Sequence, residues 1–234
     1  MPSFLFSPHV ETVGTVDAVY SIAELDEETS MYAASPAFVR EHGGPIANSI
    51  LANVDVSWFD RCADLGMLPN VDVRVHRLNI GEFPAVPGWH CDGVMRETYH
   101  AQPDLERIRV RDTVIAHVSS DASGVSCTEF LVDPFELQLP DFTDESGSGA
   151  EGYALWRDAH LQIEAAVPRP RSATLESGRI VCMSATTLHR PRPAVVRGWR
   201  LFFRMSMWHR DYLGEQGKVA RQQQVYLLSE SNGW

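Results

Sequence analysis

The sequence predicts a mainly β protein with flanking helices, an antiparallel sandwich or barrel of the jelly-roll class with an N-terminal helical layer. Three observations predict it. Helix caps and stops crowd residues 16–67. Short β-branched or alternating segments, broken by Gly and Pro, fill most of residues 71–210. A single long helical pattern, at 153–167, interrupts them. No repeat or linker divides the 234 residues, so one domain is expected over 1–234: a mainly helical layer (1–67), a β-barrel core (71–210) and a C-terminal tail (211–234).

Taken in order, residues 1–15 read as irregular or as an edge strand. Leu25-Asp26-Glu27-Glu28 is acidic enough to sit in a first helical turn. Ser35-Pro36 is an N-cap followed by proline at N1, and His42-Gly43-Gly44-Pro45 stops that helix. Ile46 to Val54 and Ser57 to Leu65 give two more helices, the last ended by Gly66. Val71 to Asn79 alternates with period two and reads as a strand. Gly81, Pro84, Pro87 and Gly88 then force turns. Strands are expected at Arg107 to Ser119, Ser126 to Val132, Thr174-Leu175, Arg179 to Met183 and Trp199 to Trp208. Residues 140–152, acidic and rich in Gly and Ser, read as a surface loop. Tyr153 to Val167 carries Leu155, Ala159, Ile163 and Ala166 at helical spacing. A polar helix is expected around Glu215 to Leu227.

Composition limits the function. A net charge of -11 argues against a broad phosphate-binding surface, hence against duplex nucleic acid as a partner. The charge is uneven: residues 1–68 hold ten acids against Arg40 and Arg61, whereas residues 168–234 hold eleven Lys/Arg against four acids. Lys218 is the one lysine among twenty cationic residues. Arginine suits planar recognition of carboxylates, although genome composition produces the same bias. Four cysteines without CxxC spacing, and no membrane-length apolar run, lead to the expectation of a reduced, cytoplasmic protein without a membrane partner.

The chemistry centres on Pro87-Gly88-Trp89-His90-Cys91-Asp92-Gly93. Two residues apart on an extended chain, His90 and Asp92 point to the same side. They offer one imidazole nitrogen and one carboxylate oxygen, two of the three ligands in a 2-His-1-carboxylate iron site. His189, in Thr186-Thr187-Leu188-His189-Arg190-Pro191, is the candidate third ligand. On the following strand Arg200, Phe202, Arg204 and Ser206 share one face and Leu201, Phe203 and Met205 the other. Buried arginines need a counter-charge, which an anionic ligand would supply.

His90-x-Asp92, then His189, then Gly198-x-Arg200 resembles the Fe(II)/2-oxoglutarate-dependent dioxygenases. The resemblance covers roughly residues 71–210. It implies a double-stranded β-helix, a distorted cupin-like jelly roll. It places iron on His90, Asp92 and His189, and the far carboxylate of 2-oxoglutarate on Arg200. Some branches use an Arg-x-Ser pair, which makes Arg204 and Ser206 a reserve assignment. Thr128 and Asn79 occupy places where family members touch the co-substrate. The implied reaction uses O2, oxidises 2-oxoglutarate to succinate and CO2, and hydroxylates an unactivated C–H bond. Asp92 matters here, because members with Ala or Gly at this place tend to be halogenases. The expected substrate is a small molecule or peptide. The alternative is a non-redox, cupin-like metal- or ligand-binding barrel.

Other residues read more plainly. Cys91 points away from the metal and packs. His76 and His117 are structural or line the substrate pocket, and His160 is exposed on its helix. Arg190, Arg192 and Arg197 read as a solvated rim. Trp89, Tyr99 and Trp156 are candidates for pocket lining. The His209-Arg210-Asp211 triplet is kinase-like only by chance, since no Gly-rich loop accompanies it.

Overall fold

The computed structural model describes residues 3–95, 104–108, 110–122, 124–139, 154–209, 218–219 and 225–227. Strands β1 (Ser3–Phe6) and β2 (Val10–Thr15) come first. Then follow α1 (Ile22–Asp26), β3 (Met31–Ala34), α2 (Pro36–His42), α3 (Pro45–Ala52) and α4 (Val56–Asp64). The rest is mainly strand: β4 (Met67–Leu78), β5 (Val94–Met95), β6 (Asp104–Ile108), β7 (Val110–Ser119), β8 (Thr128–Leu131) and β9 (Phe135–Gln138). Helix α5 (Ala154–Ala165) precedes β10 (Ser172–Thr174), β11 (Arg179–Ser184), β12 (His189–Pro191), β13 (Gly198–His209) and β14 (Lys218–Val219). The protein is thus mainly β, and the strands pair antiparallel. None of the described helices is long and apolar enough to cross a membrane.

A seven-stranded sheet in the order β14-β3-β4-β13-β7-β11-β2 is the main platform, and a three-stranded sheet, β10-β8-β12, lies against it. The period-two alternation of β13 explains the arrangement. Leu201, Phe203, Met205 and Met207 join Val71, Val73, Val114, Ala116 and Val118 from the neighbouring strands in one apolar cluster. Leu25, Val39, Ile50, Trp58 and Cys62, all from helices α1–α4, complete it. Arg200, Phe202, Arg204 and Ser206 occupy the opposite face. Register places Asp72, Arg74 and His76 beside them on β4, and Thr113, Ile115, His117 and Ser119 on β7. That second face meets the small sheet, where Ile115, Val181 and Met183 pack on Phe130. The large sheet is therefore covered on both sides, with its polar side chains turned inward.

Several local expectations change for identifiable reasons. Ser21 and Glu24 form a capping box, so α1 starts there and Leu25 to Glu28 fall at its end rather than in its first turn. Glu28 has another role: its carboxylate accepts from the Ile46 and Ala47 amides at 2.6 and 3.1 Å, satisfying orphan donors of α3. Gly44, the N-cap of α3, offers no side chain, and a Cβ there would strike the Glu28 carboxylate. Residues 16–67 are not wholly helical, since β3 pairs with β4 across a bulge. In that bulge Ala33 takes a φ of 52°, and its amide is held by Asp72 Oδ1 at 3.1 Å. The described residues of the expected strand from Arg107 lie in β6 and β7, and β9 and β12 are additional strands. Among the described residues, the helix expected around 215–227 is replaced by β14 on β3 and a bridge from Tyr226 to Phe83. The loop at 140–152 and Tyr99 lie outside the described residues.

His117 shows what the inward polar face costs. It is fully buried, and neither ring nitrogen has a hydrogen-bond partner among the described residues. Burial, then the Arg200 charge, pushes its pKa down to about 3 from 6.5. The folded chain keeps this imidazole neutral, whereas the unfolded chain takes up a proton below the ordinary value. Stability is expected to fall as pH drops from 6.5 toward 3. Denaturant titrations at pH 4–6.5 should show His117→Leu flattening that loss by up to about 1.4 kcal/mol per pH unit.

Candidate metal centre

Gly88 and Gly93 flank the ligand segment, with φ of 92° and 74°. These are left-handed conformations that side-chain-bearing residues adopt at a cost. A Cβ on Gly93 would also strike the Val110 side chain. Between them the chain pairs with the start of β12. The His90 amide donates to the His189 carbonyl at 3.0 Å, and the His189 amide donates to the His90 carbonyl at 2.8 Å. Two residues far apart in sequence are thus direct antiparallel partners, with ring centroids 4.8 Å apart.

Their tautomers follow from the acceptors around them. His90 Nδ1 lies 2.9 Å from the Gly88 carbonyl, and His189 Nδ1 lies 3.1 Å from the Thr187 carbonyl. A carbonyl only accepts, so each Nδ1 carries a proton and each ring presents its Nε2 to the cluster. His189 Nε2 is 3.5 Å from Asp92 Oδ2. One donor atom from each of His90, Asp92 and His189 lies within 4.8 Å of the others. Two imidazole nitrogens and one carboxylate oxygen are a donor set that would suit a divalent metal such as iron. Burial, and then the charge of His189, lowers the His90 pKa to about 4, so that ring is neutral at physiological pH. Burial opposes ionisation of Asp92, but Arg204 and the two imidazoles outweigh it and hold the carboxyl well below its usual range.

Arg204 binds two carboxylates. Its NH1 donates to Asp92 Oδ2 at 2.8 Å, while Nε donates to Asp72 Oδ2 at 3.0 Å and NH2 contacts the same oxygen. These anions keep the guanidinium fully charged despite burial. Arg200 differs. It is 3% exposed, and its NH2 reaches Thr128 Oγ1 at 3.3 Å. Its guanidinium stacks 4.8 Å from the Phe202 ring, and its Nε has no partner among the described residues. Burial lowers its pKa to about 10, so it remains a cation, one with no carboxylate beside it among the described residues. A cavity of about 70 Å³ joins the two groups of residues. It is lined by His90, Asp92, His189, Thr128, Arg200 and Arg204, with Arg74 and His76 from β4.

The structure therefore brings His90, Asp92, His189, Arg200, Arg204 and Thr128 to one cavity. Ser206 does not line it; its Oγ pairs with Thr113 Oγ1 at 3.0 Å. Asn79 is exposed and bonds Glu82. Trp89 and Trp156 pack in a separate apolar core with Cys91 and Leu188, away from the cavity. His160 is half-buried rather than exposed.

Arg190 is not a solvated rim residue. It donates to Glu129 at 2.8 Å and Glu164 at 2.9 Å, and its guanidinium lies 4.3 Å from the Trp89 ring centroid. Trp89 Nε1 also donates to Glu164. Each histidine is thus braced through its immediate neighbour, on the opposite side of the strand pair. Sequence reasoning missed Asp72 and Arg74, although the alternation that put Val71, Val73 and Val75 on one face already put these two on the other.

No protein-family model matches the chain, and no curated protein matches it. Solved structures with a similar chain course include HygX from Streptomyces hygroscopicus with iron bound, at 13% identity and TM-score 0.44, covering 87% of this chain and 82% of that one. AviO1 from Streptomyces viridochromogenes Tue57 is 12% identical with TM-score 0.42, covering 90% and 94%. SnoK from nogalamycin biosynthesis, a non-heme alpha ketoglutarate dependent carbocyclase, is 13% identical with TM-score 0.42, covering 90% and 80%. Similarity at this level says nothing about chemistry, which has to come from the residues of the site.

Removing Arg204 leaves both Asp72 and Asp92 facing the interior without their guanidinium. Arg204→Ala should destabilise the protein by about 3 kcal/mol, and adding Asp72→Asn should recover part of that. Urea titrations of the two single variants and the double variant measure the coupling.

Proposed function

We propose that the protein is an Fe(II)- and 2-oxoglutarate-dependent oxygenase on a double-stranded β-helix. It hydroxylates an unactivated C–H bond of a small molecule or peptide and releases succinate and CO2. One observation carries this reading: a buried arginine without a carboxylate partner, Arg200, opens into the same cavity as a 2-His-1-carboxylate cluster.

In this reading His90, Asp92 and His189 hold iron, and the two backbone-tied Nδ1–H groups fix which nitrogen each ring presents. Arg200 and Thr128 take the far carboxylate of 2-oxoglutarate, and Arg200 gains the charge-assisted partner its burial calls for. Arg204 orients Asp92 from behind. Phe202 and Pro191 keep the cavity wall apolar beside the reacting groups. When bound, iron and 2-oxoglutarate together supply the oxidising power drawn from O2. Asp92, a carboxylate where the halogenases tend to carry Ala or Gly, favours hydroxylation. Reduced cysteines and ferrous iron both suit the cytoplasm.

The non-redox barrel is separated by direct binding. Anaerobic addition of Fe(II) and 2-oxoglutarate should give a weak visible charge-transfer band at one equivalent of each. Asp92→Ala should abolish it. Arg200→Ala should raise the dissociation constant for 2-oxoglutarate by about 10-fold to 100-fold, the weight of a lost hydrogen bond between charged groups. A wild-type protein that binds metal without forming the band would defeat the oxygenase reading.

A further inference from the structure

Arg74 is a second cation at the cavity that no carboxylate neutralises among the described residues. It sits on β4 opposite Phe202, in register between the partners of Arg200 and Arg204. It is half-buried and lines the cavity. No carboxylate pairs with it among the described residues. Its charge also bears on Arg200, adding to the burial that weakens that guanidinium's hold on its proton. Two like charges at one small cavity repel each other unless each has an anion.

Charge balance narrows the ligand. In the oxygenase reading, the metal's two charges are met by Asp92 and the near carboxylate of 2-oxoglutarate, Arg200 by the far carboxylate, and Arg204 by Asp72. Arg74 alone is left without a counter-charge. It is also poorly placed to share the co-substrate: Arg200 lies deeper and already rests on Thr128, whereas Arg74 stands on the neighbouring strand and is more exposed. We infer that Arg74 is a specificity residue for substrate, and that the substrate carries a single carboxylate, which the planar guanidinium takes by a paired, charge-assisted contact. A phosphate dianion would leave the cavity with excess negative charge. This inference rests on the oxygenase reading.

The test uses the full chain loaded anaerobically with Fe(II) and 2-oxoglutarate. Calorimetry then measures binding of matched probes: small aliphatic and aromatic carboxylic acids, their primary amides and their phosphonates. At least one acid should bind about tenfold or more tightly than its amide and its phosphonate. Arg74→Met should remove that preference, Arg74→Lys should keep part of it, and both should bind 2-oxoglutarate within about threefold of wild type. Acids and amides that behave alike, or that both fail to bind, overturn the proposal, as does a preference for phosphonates. A loss of 2-oxoglutarate affinity in Arg74→Met overturns it too, by assigning Arg74 to the co-substrate. Absence of 2-oxoglutarate binding in the wild type, measured first, marks instead the failure of the oxygenase reading.

Discussion

Arg204 is held between Asp72 and Asp92, and the shape of the ligand cluster depends on that array. Asp92 would otherwise be a largely buried carboxylate beside two imidazoles. Arg204 meets its charge and ties it to the centre of the large sheet. Asp72 completes the balance and passes the constraint on, because its second oxygen holds the Ala33 amide in the bulge of β3. Four groups on three strands and one loop thus share one electrostatic arrangement. Ion pairs this buried add little net stability, but they fix geometry, since removing one member leaves another uncompensated.

The same logic accounts for the two covered faces of the sheet. Its apolar side chains face the helices and its charged ones face the small sheet. Charges directed inward are tolerated only when they are paired with each other or with a ligand. Arg204 is paired by protein groups. Arg200 and Arg74 meet no carboxylate among the described residues, and this distinguishes the cavity from an ordinary polar core. On the opposite side of the ligand strands, Trp89, Arg190, Glu129 and Glu164 form a second, self-sufficient network. It braces the residues adjacent to both histidines, so the imidazoles are steered by backbone and neighbours as well as by their own contacts.

Much of this was legible in the sequence because it rests on periodicity and local chemistry. The facing of Arg200, Phe202, Arg204 and Ser206 follows from strand alternation alone. The Ser35-Pro36 start of α2 and the Gly66 stop of α4 follow from cap chemistry. The expected grouping of His90, Asp92 and His189 required long-range pairing, which the motif order suggested and the backbone bridge explains. What escaped notice was set by distant partners. Glu28 looked like a helix-starting acid, but the amides it caps are eighteen and nineteen positions away. Ser206 fitted an Arg-x-Ser wording, yet its hydroxyl is taken by Thr113 on β7. Arg190 looked solvent-facing because Glu129 and Glu164 reach it from other elements. β14 takes its conformation from the edge of β3 rather than from its own polar pattern.

The pairing of Asp92 with Arg204 also bears on how the protein would acquire its ion. Metal uptake at most protein sites is a competition with protons, because ligands must shed them before they can coordinate. Here Asp92 is already ionised, and His90 is already neutral with its lone pair on Nε2. Neither residue has a proton to give up at neutral pH. The competitor at Asp92 is a guanidinium that cannot leave but can keep one oxygen while the other turns to the metal. For an incoming ion, the contest at Asp92 is thus with a guanidinium rather than with a proton.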